Sequence, residues 1–284
     1  MKKAIALILA MVLTAAVPVW AAEADAAGET GAADASVEAD AAGETDAADA
    51  TKTEAEPEVK GEGVMTYAEY LEAEVDDLVT IEAYVQAKQA FYENNEEVGT
   101  STATIYAQDH DGGYFLYNYP CSAEDYEKLV PGTKIKATGY KAEWAGEYEI
   151  VADDDKSTFE IEEGTYIAEP VDVTDRLGKD EELAENINQK VSFTGMTVER
   201  ASKDTDAAYM YNWDGSGQEG DDLYFSVSKD GATYSFVVES YLCDKDSDVY
   251  KAVKELKVGD TVDLEGFLYW YEGPNPHITA VKVK

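Results

Sequence analysis

The sequence contains few of the residues that build metal sites, disulfide frameworks and phosphate-binding surfaces. Its 284 residues include two Cys and two His, and 22 Lys and Arg stand against 60 Asp and Glu, which gives a net charge of −38. Two Cys cannot form a multi-disulfide scaffold or a four-cysteine zinc site. The negative charge repels phosphate, so nucleic acid is a disfavoured partner. We therefore predict no metal site and no cofactor.

Long apolar runs are also scarce, because the only one stands at the N-terminus. Lys2 and Lys3 precede an apolar stretch over 4–17 that is too short for a membrane span, and Val19-Trp20-Ala21 is similar to a cleavage site. This pattern predicts a signal peptide over 1–21 and no membrane span. The protein is then secreted, either extracellular or associated with the cell surface. An uncleaved membrane anchor is the alternative.

Aromatic residues are absent from positions 23–63. The heptapeptide at 24–30 recurs at 39–45, and the segment 22–63 contains 13 acidic residues and two Lys. Such a segment cannot bury enough apolar surface to offset its ordering entropy. We predict a disordered acidic linker over 22–63 that holds the folded part away from the cell surface. A partner-binding acidic tail is the alternative.

The remainder of the chain is rich in tyrosine and in alternating apolar positions. The sequence has 20 Tyr against seven Phe, and apolar residues alternate over 79–85 and 191–195. Aromatic residues and strict alternation are typical of half-buried strands. Asp-Gly pairs at 111–112 and 230–231 each separate two such runs, which predicts tight hairpin turns with positive φ angles.

Two sets of glycines with the same spacing indicate an internal repeat. An apolar β-branched residue stands three positions after the first glycine of each set, and an aromatic residue stands five after the second. Helical stretches at 123–129 and 249–256 precede the sets, so each copy predicts a strand, a hairpin, a helix and two further strands. The glycines are Gly132, Gly139 and Gly146 in the first set and Gly259, Gly266 and Gly273 in the second.

This order of elements resembles the OB-fold modules of secreted bacterial proteins, in which a helix lies between the third and fourth of five strands. The stretches 131–139 and 258–266 are similar to the entry into the fourth strand. The resemblance implies an all-β chain of two tandem OB-fold (five-stranded Greek-key) barrels, each with a short helix, after a disordered acidic N-terminal segment. The domains are then OB-fold domain 1 over 64–168, a linker over 169–186 and OB-fold domain 2 over 187–284.

Aromatic side chains in the binding regions of this fold are the candidate ligand contacts. OB folds bind on the face of strands two and three and through the loops that join strands one to two and four to five. Rings placed there can stack on bases or cover sugar faces, whereas packing at the barrel end is the alternative role. The candidate residues are Trp144, Tyr269, Trp270 and Tyr271 in the four–five loops, and Tyr114 and Tyr117 on strand three of the first copy.

No catalytic or phosphate-binding motif is present in the sequence. We expect His110 and His277 in turns or on the surface. The segment after Asp214 begins like a calcium loop, but Glu219 occupies the position at which such a loop needs glycine. We therefore predict no enzyme.

The predicted function is a secreted, non-enzymatic binding protein that presents two OB-fold barrels. Its ligand is a glycan, a small molecule or a protein that the aromatic loops contact. A single-stranded nucleic-acid-binding protein and a calcium-dependent adhesion or interaction module are the alternatives. Cys121 and Cys243 occupy matching places in the two copies, and we favour two separate thiols over a bridge, because bridged Cα atoms lie within about 7 Å.

Overall fold

The computed structural model of the chain describes residues 59–96, 98–153 and 155–284. The predicted signal peptide over 1–21, and the predicted linker up to residue 58, lie outside the described residues. All described residues belong to one compact unit. Within that unit the chain forms two β-sheets with four short helices, and the predicted all-β class is confirmed.

The first sheet closes into a five-stranded barrel. Its strands follow the order β1-β3-β4-β6-β5, and β5 pairs back with β1. This is the OB-fold strand order, with β4 and β6 parallel and α2 between the third and fourth barrel strands. The elements of this half are α1 (Tyr67–Glu72), β1 (Leu78–Lys88), β2 (Tyr92–Asn95), β3 (Thr100–Gln108), β4 (Gly113–Pro120), α2 (Ala123–Lys128), β5 (Thr133–Trp144), β6 (Glu147–Val151) and β7 (Thr158–Thr165).

The second sheet has the same order, β9-β11-β12-β14-β13, and β13 and β11 both pair with β9. A single parallel pair, Val237 with His277, joins β12 to β14. The elements are β8 (Val171–Asp172), a 3-10 turn (Thr174–Arg176), α3 (Asp180–Ala184), β9 (Lys190–Glu199), β10 (Tyr209–Tyr211), β11 (Leu223–Lys229), β12 (Ala232–Val238), α4 (Asp248–Glu255), β13 (Thr261–Phe267) and β14 (His277–Val283).

Each barrel has its own core of alternating apolar side chains. Ile81, Ile105 and Leu116 are fully buried in the first core, and Phe193 and Phe236 pack 4.6 Å apart in the second. The segment 169–186, predicted as a linker, holds β8, the 3-10 turn and α3. Val173 and Leu183 are buried in the core of the second barrel, and β8 pairs with β9. This segment is therefore part of the second half of the fold.

The glycine sets match in backbone geometry. Gly132 and Gly259 have φ angles of 94° and 95° before the fourth barrel strand. At Gly266, a Cβ would lie 2.1 Å from the carbonyl oxygen of His277, and at Gly139 it would lie 2.7 Å from that of Val151. The second glycine of each set thus lets the fifth strand pass close to the fourth.

One of the two Asp-Gly turns differs from its prediction. Asp230 and Gly231 adopt the positive φ angles expected for a tight hairpin, 51° and 84°. The other hairpin turns instead on the side chain of Asp109, whose Oδ1 accepts the backbone N–H groups of Asp111 (2.8 Å) and Gly112 (2.7 Å). An aspartate that bonds the backbone two or three residues on replaces the primed turn.

Candidate functional site between the two barrels

The two barrels share a small aromatic core. Tyr106 and Phe115 come from β3 and β4 of the first barrel, and Phe267 comes from the end of β13 in the second. The Tyr106 ring lies 4.9 Å from Phe115 and 4.7 Å from Phe267, measured between ring centroids. The Tyr106 hydroxyl lies 2.7 Å from Nδ1 of His277. The barrels therefore pack directly against each other at the face of β3 and β4.

Backbone groups fix the register of this contact. Ala90 N–H donates to the carbonyl of Tyr241 over 2.7 Å, and Lys190 N–H donates to the side chain of Gln108 over 2.8 Å. At Gly113 a Cβ would lie 2.3 Å from the backbone of Asn188, so the glycine is what lets the barrels approach. Hydrogen bonds and close backbone approach hold the two halves in one arrangement.

A groove of about 610 Å³ opens beside this contact. Its volume lies in the range typical of small-molecule sites. β3 and β4, the second and third barrel strands, form its floor, and residues after β1 and β12 form its sides. The lining residues are Gln89, Ala90, Phe91, Tyr92, Thr102, Thr104, Phe115, Tyr117, Asn118, Glu239, Tyr241, Tyr269 and His277.

The aromatic rings of the groove continue the shared core outward. Phe115 stacks beside Tyr117 at 6.3 Å and meets Tyr269 edge-on at 5.4 Å, and Tyr269 stacks on His277 at 4.4 Å. Tyr117 is 41% exposed and Tyr241 is 69% exposed, so both present ring surface to solvent. The groove thus has a packed aromatic floor and exposed rings at its edge.

Two groups in the groove have strongly shifted pKa values. Burial lowers the pKa of His277 to about 3, so its ring is neutral. The pKa of Glu239 is raised to about 7, mainly by burial and less by the charge of Asp222, while backbone hydrogen bonds lower it in part. Glu239 therefore changes its charge near neutral pH.

The structure places the six predicted contact residues in different surroundings. Tyr117 and Tyr269 line the groove, as the predicted binding face requires. Trp144 and Tyr271 are 53% and 45% exposed and lie outside its lining. Trp270 is half buried, and a Cβ at Gly146 would lie 2.7 Å from its ring, so the four–five loops of the two barrels touch each other.

Tyr114 was predicted as a ligand contact but does not line the groove. Its side chain is fully buried in the first core, where its hydroxyl donates to Oδ2 of Asp109 over 2.8 Å. The expectation that His277 lies on the surface or in an open turn is likewise corrected, because its side chain is buried against Tyr106 and Tyr269. Docking of the second barrel decides this burial, and no local pattern in the sequence encodes it.

Several groove residues were not candidates from the sequence. Phe91 and Tyr92 follow β1 in the one–two connection, a region where OB folds bind. Their place in this connection could have identified both residues as candidates from the sequence. Glu239 and Tyr241 follow β12 of the second barrel and reach the groove only because the barrels dock, so the sequence carried no signal for them.

The acidic loop after Asp214 uses its carboxylates to bond its own backbone. Asp214 accepts from Ser216 N–H over 3.0 Å, Asp221 accepts from Gln218 N–H over 2.9 Å, and Asp222 accepts from the backbone and hydroxyl of the serine at position 240. Across residues 59–96, 98–153 and 155–284, no three His, Cys, Asp or Glu side chains are grouped so as to hold a metal ion.

Two further features concern the described part of the chain. Cys121 and Cys243 are both free thiols, which agrees with the expectation of two separate cysteines. Burial raises the pKa of Cys121 to about 11 and that of Cys243 to about 12, so both are protonated at neutral pH. No helix in this part has the length and apolar character needed to span a membrane.

A buried carboxyl lies where the barrels meet. Glu147 is fully buried, and its Oε2 accepts the backbone N–H of Trp270 over 2.8 Å. Its Oε1 and the Oδ1 of Asn188 have no hydrogen-bond donor among the described residues. Burial raises the pKa of Glu147 to about 8, and the hydrogen bond from the backbone N–H of Trp270 only partly offsets it. Glu147 is therefore mostly protonated at neutral pH.

This carboxyl makes stability depend on pH. In the folded state it holds its proton up to about pH 8, whereas an unfolded Glu loses it near pH 4.3. Stability therefore falls as pH rises through this window, by at most about 1.4 kcal/mol per pH unit for one proton. Glu149 and Glu239, with pKa values of about 7, act in the same direction. His277 acts in the opposite direction, but only below its unfolded pKa near 6.5.

We expect Glu147→Gln to reduce this pH dependence and to raise the free energy of unfolding at pH 8.5, because the amide stays neutral and its NH₂ can serve the unpaired acceptor of Asn188. Urea unfolding at pH 6.5, 7.5 and 8.5 measures both effects. Glu255→Gln, at an exposed position of α4, is the matched control. A variant with the same slope as the parent chain would contradict the assignment.

The chain was compared with known proteins. No family model and no curated protein matches it. Among solved structures it is similar to a murine DNA-binding protein solved with double-stranded DNA, at 13% identity and a TM-score of 0.34 over 73% of this chain and 97% of that one. It is also similar to a replication protein A heterotrimer bound to single-stranded DNA, at 13% identity and 0.30 over 72% and 50%.

A third similar structure is the single-stranded DNA-binding protein from Thermus aquaticus, at 12% identity and a TM-score of 0.24 over 75% of this chain and 94% of that one. Similarities at this level of identity do not indicate a ligand. The ligand of this chain is therefore inferred from the chemistry of the groove.

Proposed function

We propose that this chain is a non-catalytic binding protein and that the groove between its barrels is the binding site. The observation that carries the proposal is the position of the groove on β3 and β4, the face through which OB folds bind ligands. Exposed rings of Tyr117 and Tyr241 stand at its edge, on opposite barrels. The signal-peptide pattern at the N-terminus adds that the protein works outside the cell.

A small ligand fits this site better than an extended one. About 610 Å³ suffices for a drug-sized molecule, and aromatic walls with few polar groups are typical of such sites. The polar side chains of Gln89, Thr104 and Asn118 would orient the ligand. A sugar unit of a glycan or a side chain of a protein could enter the same space, so the three predicted ligand classes share one site.

Removal of the two exposed rings tests the site. We expect the double variant Tyr117→Ala and Tyr241→Ala to lose at least about tenfold in affinity for any ligand of the full chain found in a thermal-shift screen of metabolites and glycans. Trp213→Ala is the matched control, because Trp213 is 67% exposed and lies outside the groove. Equal binding by the double variant and the parent chain would remove the groove from consideration.

Single-stranded nucleic acid is the second candidate. The specific observation in its favour is that Tyr92 and Tyr117 expose rings on the face where OB folds stack bases. Against it, the lining residues that the structure describes include no Lys or Arg, and affinity for nucleic acid comes largely from counterion release by such residues.

Oligonucleotide titration separates the two candidates. We expect no saturable change in the anisotropy of a fluorescent 20-nucleotide dT strand in 20 mM salt. Binding that weakens steeply as salt increases, and that the Tyr117→Ala and Tyr241→Ala variant loses, would favour nucleic acid instead.

A further inference from the structure

The charge of the groove is of one sign. Among its described lining residues the ionisable groups other than tyrosine are Glu239 and His277, and His277 is neutral at physiological pH. Lys88, at the end of the neighbouring strand β1, is directed elsewhere: its ammonium lies 3.7 Å from the centre of the Tyr126 ring. A ligand in the groove therefore meets one formal charge, and that charge is negative.

The aromatic walls add to the same field. Aromatic ring faces carry partial negative charge and attract cations placed over them. Six of the 13 lining residues are Phe or Tyr, and they come from both barrels. Burial raises the pKa of Tyr269, so its hydroxyl is neutral and its ring contributes only this partial charge to the lining.

Glu239 is held in place. The backbone N–H of Tyr241 donates to its Oε1 over 3.0 Å, and the N–H of Leu242 donates to its Oε2 over 2.8 Å. Gln89 Nε2, from the first barrel, donates to Oε2 over 3.2 Å. A carboxylate offers about four acceptor positions, so these three bonds leave capacity for a donor from a ligand.

We propose that the groove binds an organic cation, a small molecule with an ammonium or guanidinium group that lies among the aromatic rings and pairs with Glu239. This inference rests on the proposed function of the groove and names the class of its ligand. An anionic ligand would meet Glu239 without any compensating cation. An uncharged sugar would leave the carboxylate, in a largely buried position, without an ionic partner.

Binding of such a cation depends on pH. The described ionisable groups that interact electrostatically with Glu239 are Asp222, Tyr224, Cys243, Tyr106 and Tyr269, and none of them is a cation. Because the pKa of Glu239 is about 7, part of the population is protonated at pH 6. A cation stabilises the ionised form, so its affinity rises between pH 6 and pH 8 as Glu239 loses its proton.

Pairs of probes with and without charge test the proposal on the full chain. Choline is compared with its uncharged isostere 3,3-dimethylbutan-1-ol, and benzyltrimethylammonium with benzyl alcohol, by isothermal titration calorimetry and saturation-transfer NMR. We expect the cation of at least one pair to bind about tenfold more tightly or better. We expect Glu239→Gln to reduce that preference to less than about threefold and to leave the uncharged probe unaffected.

The outcomes separate this inference from the proposed function. If uncharged probes bind as tightly as the cations and lose their binding in the Tyr117→Ala and Tyr241→Ala variant, the groove remains the binding site but the inference of a cationic ligand is contradicted. Failure of both cations to bind at millimolar concentration would also overturn it. If Glu239→Gln does not fold, the paired comparison at pH 6 and pH 8 on the parent chain decides: a preference that does not grow with pH contradicts the role of Glu239.

Discussion

Replacing Gly266 with alanine is expected to lower the free energy of unfolding by about 3 kcal/mol or more. A Cβ at this position would lie 2.1 Å from the carbonyl oxygen of His277 and 2.8 Å from the Cα of Ile278. Both atoms belong to the backbone of β14, so no side-chain rotation can relieve the contact. The strands β13 and β14 would have to separate where the second barrel closes.

The same substitution is expected to distort the groove, because His277 lines the groove and lies at the start of β14, the strand that would be displaced. Gly259→Ala is the matched control from the same glycine set. Gly259 has a φ angle of 95° and no atom within 4 Å of a Cβ, so its cost is backbone strain alone, about 1–2 kcal/mol. Urea unfolding of the two variants measures the difference, and equal losses would show that the close approach of β14 is unimportant.

Asp109→Ala is expected to lower the free energy of unfolding by about 3–5 kcal/mol, because it removes the carboxylate that neutralises a buried ammonium. The Asp109 carboxylate is fully buried and lies 2.6 Å from the ammonium of Lys60, whose side chain is 3% exposed. It also accepts the Tyr114 hydroxyl and the two backbone N–H groups that form the β3–β4 turn. Alanine removes every one of these acceptors at once.

A double variant separates the charge from the turn. If loss of the ion pair causes most of the destabilisation, adding Lys60→Met to Asp109→Ala will recover part of it, and the two effects will not add. Asp214→Ala is the control, because Asp214 also accepts a backbone N–H in a turn but is exposed. Calorimetric or urea unfolding provides the values, and a loss by Asp109→Ala as small as the control's would contradict the assignment.

Lys60 contacts the first barrel although it lies within the predicted linker. The acidic composition predicted a linker up to residue 63, yet Lys60 donates to Asp109 and to the backbone of Glu82. Composition averages over many residues and does not register one buried ion pair.

The strands and one of the two hairpin turns followed from local rules. A capping box of Thr66 and Glu69, which also depends on local spacing alone, is formed at the start of α1. Alternation located β1 and β9, and the turn at Asp230 and Gly231 adopted the geometry that its sequence favours. Such features depend on neighbours a few residues apart, which the sequence states directly.

Two of the six predicted contact residues lie at the candidate site. Tyr117 and Tyr269 line the groove, because their positions follow from the strand order of the fold. Tyr114 stands three residues before Tyr117, and such an odd spacing places two side chains on opposite faces of a strand. Tyr114 therefore packs into the core beside Tyr70, with ring centroids 5.1 Å apart.

The acidic composition, the β-rich character and the two matching glycine sets could be read from the sequence, because they depend on composition and on residues close together in the chain. The docking of the two barrels could not. It buries His277 and Glu147 between the barrels and turns Glu239 and Tyr241 toward the first barrel. These contacts join residues more than 100 positions apart, and their energy comes from desolvating surfaces that exist only after each barrel has formed.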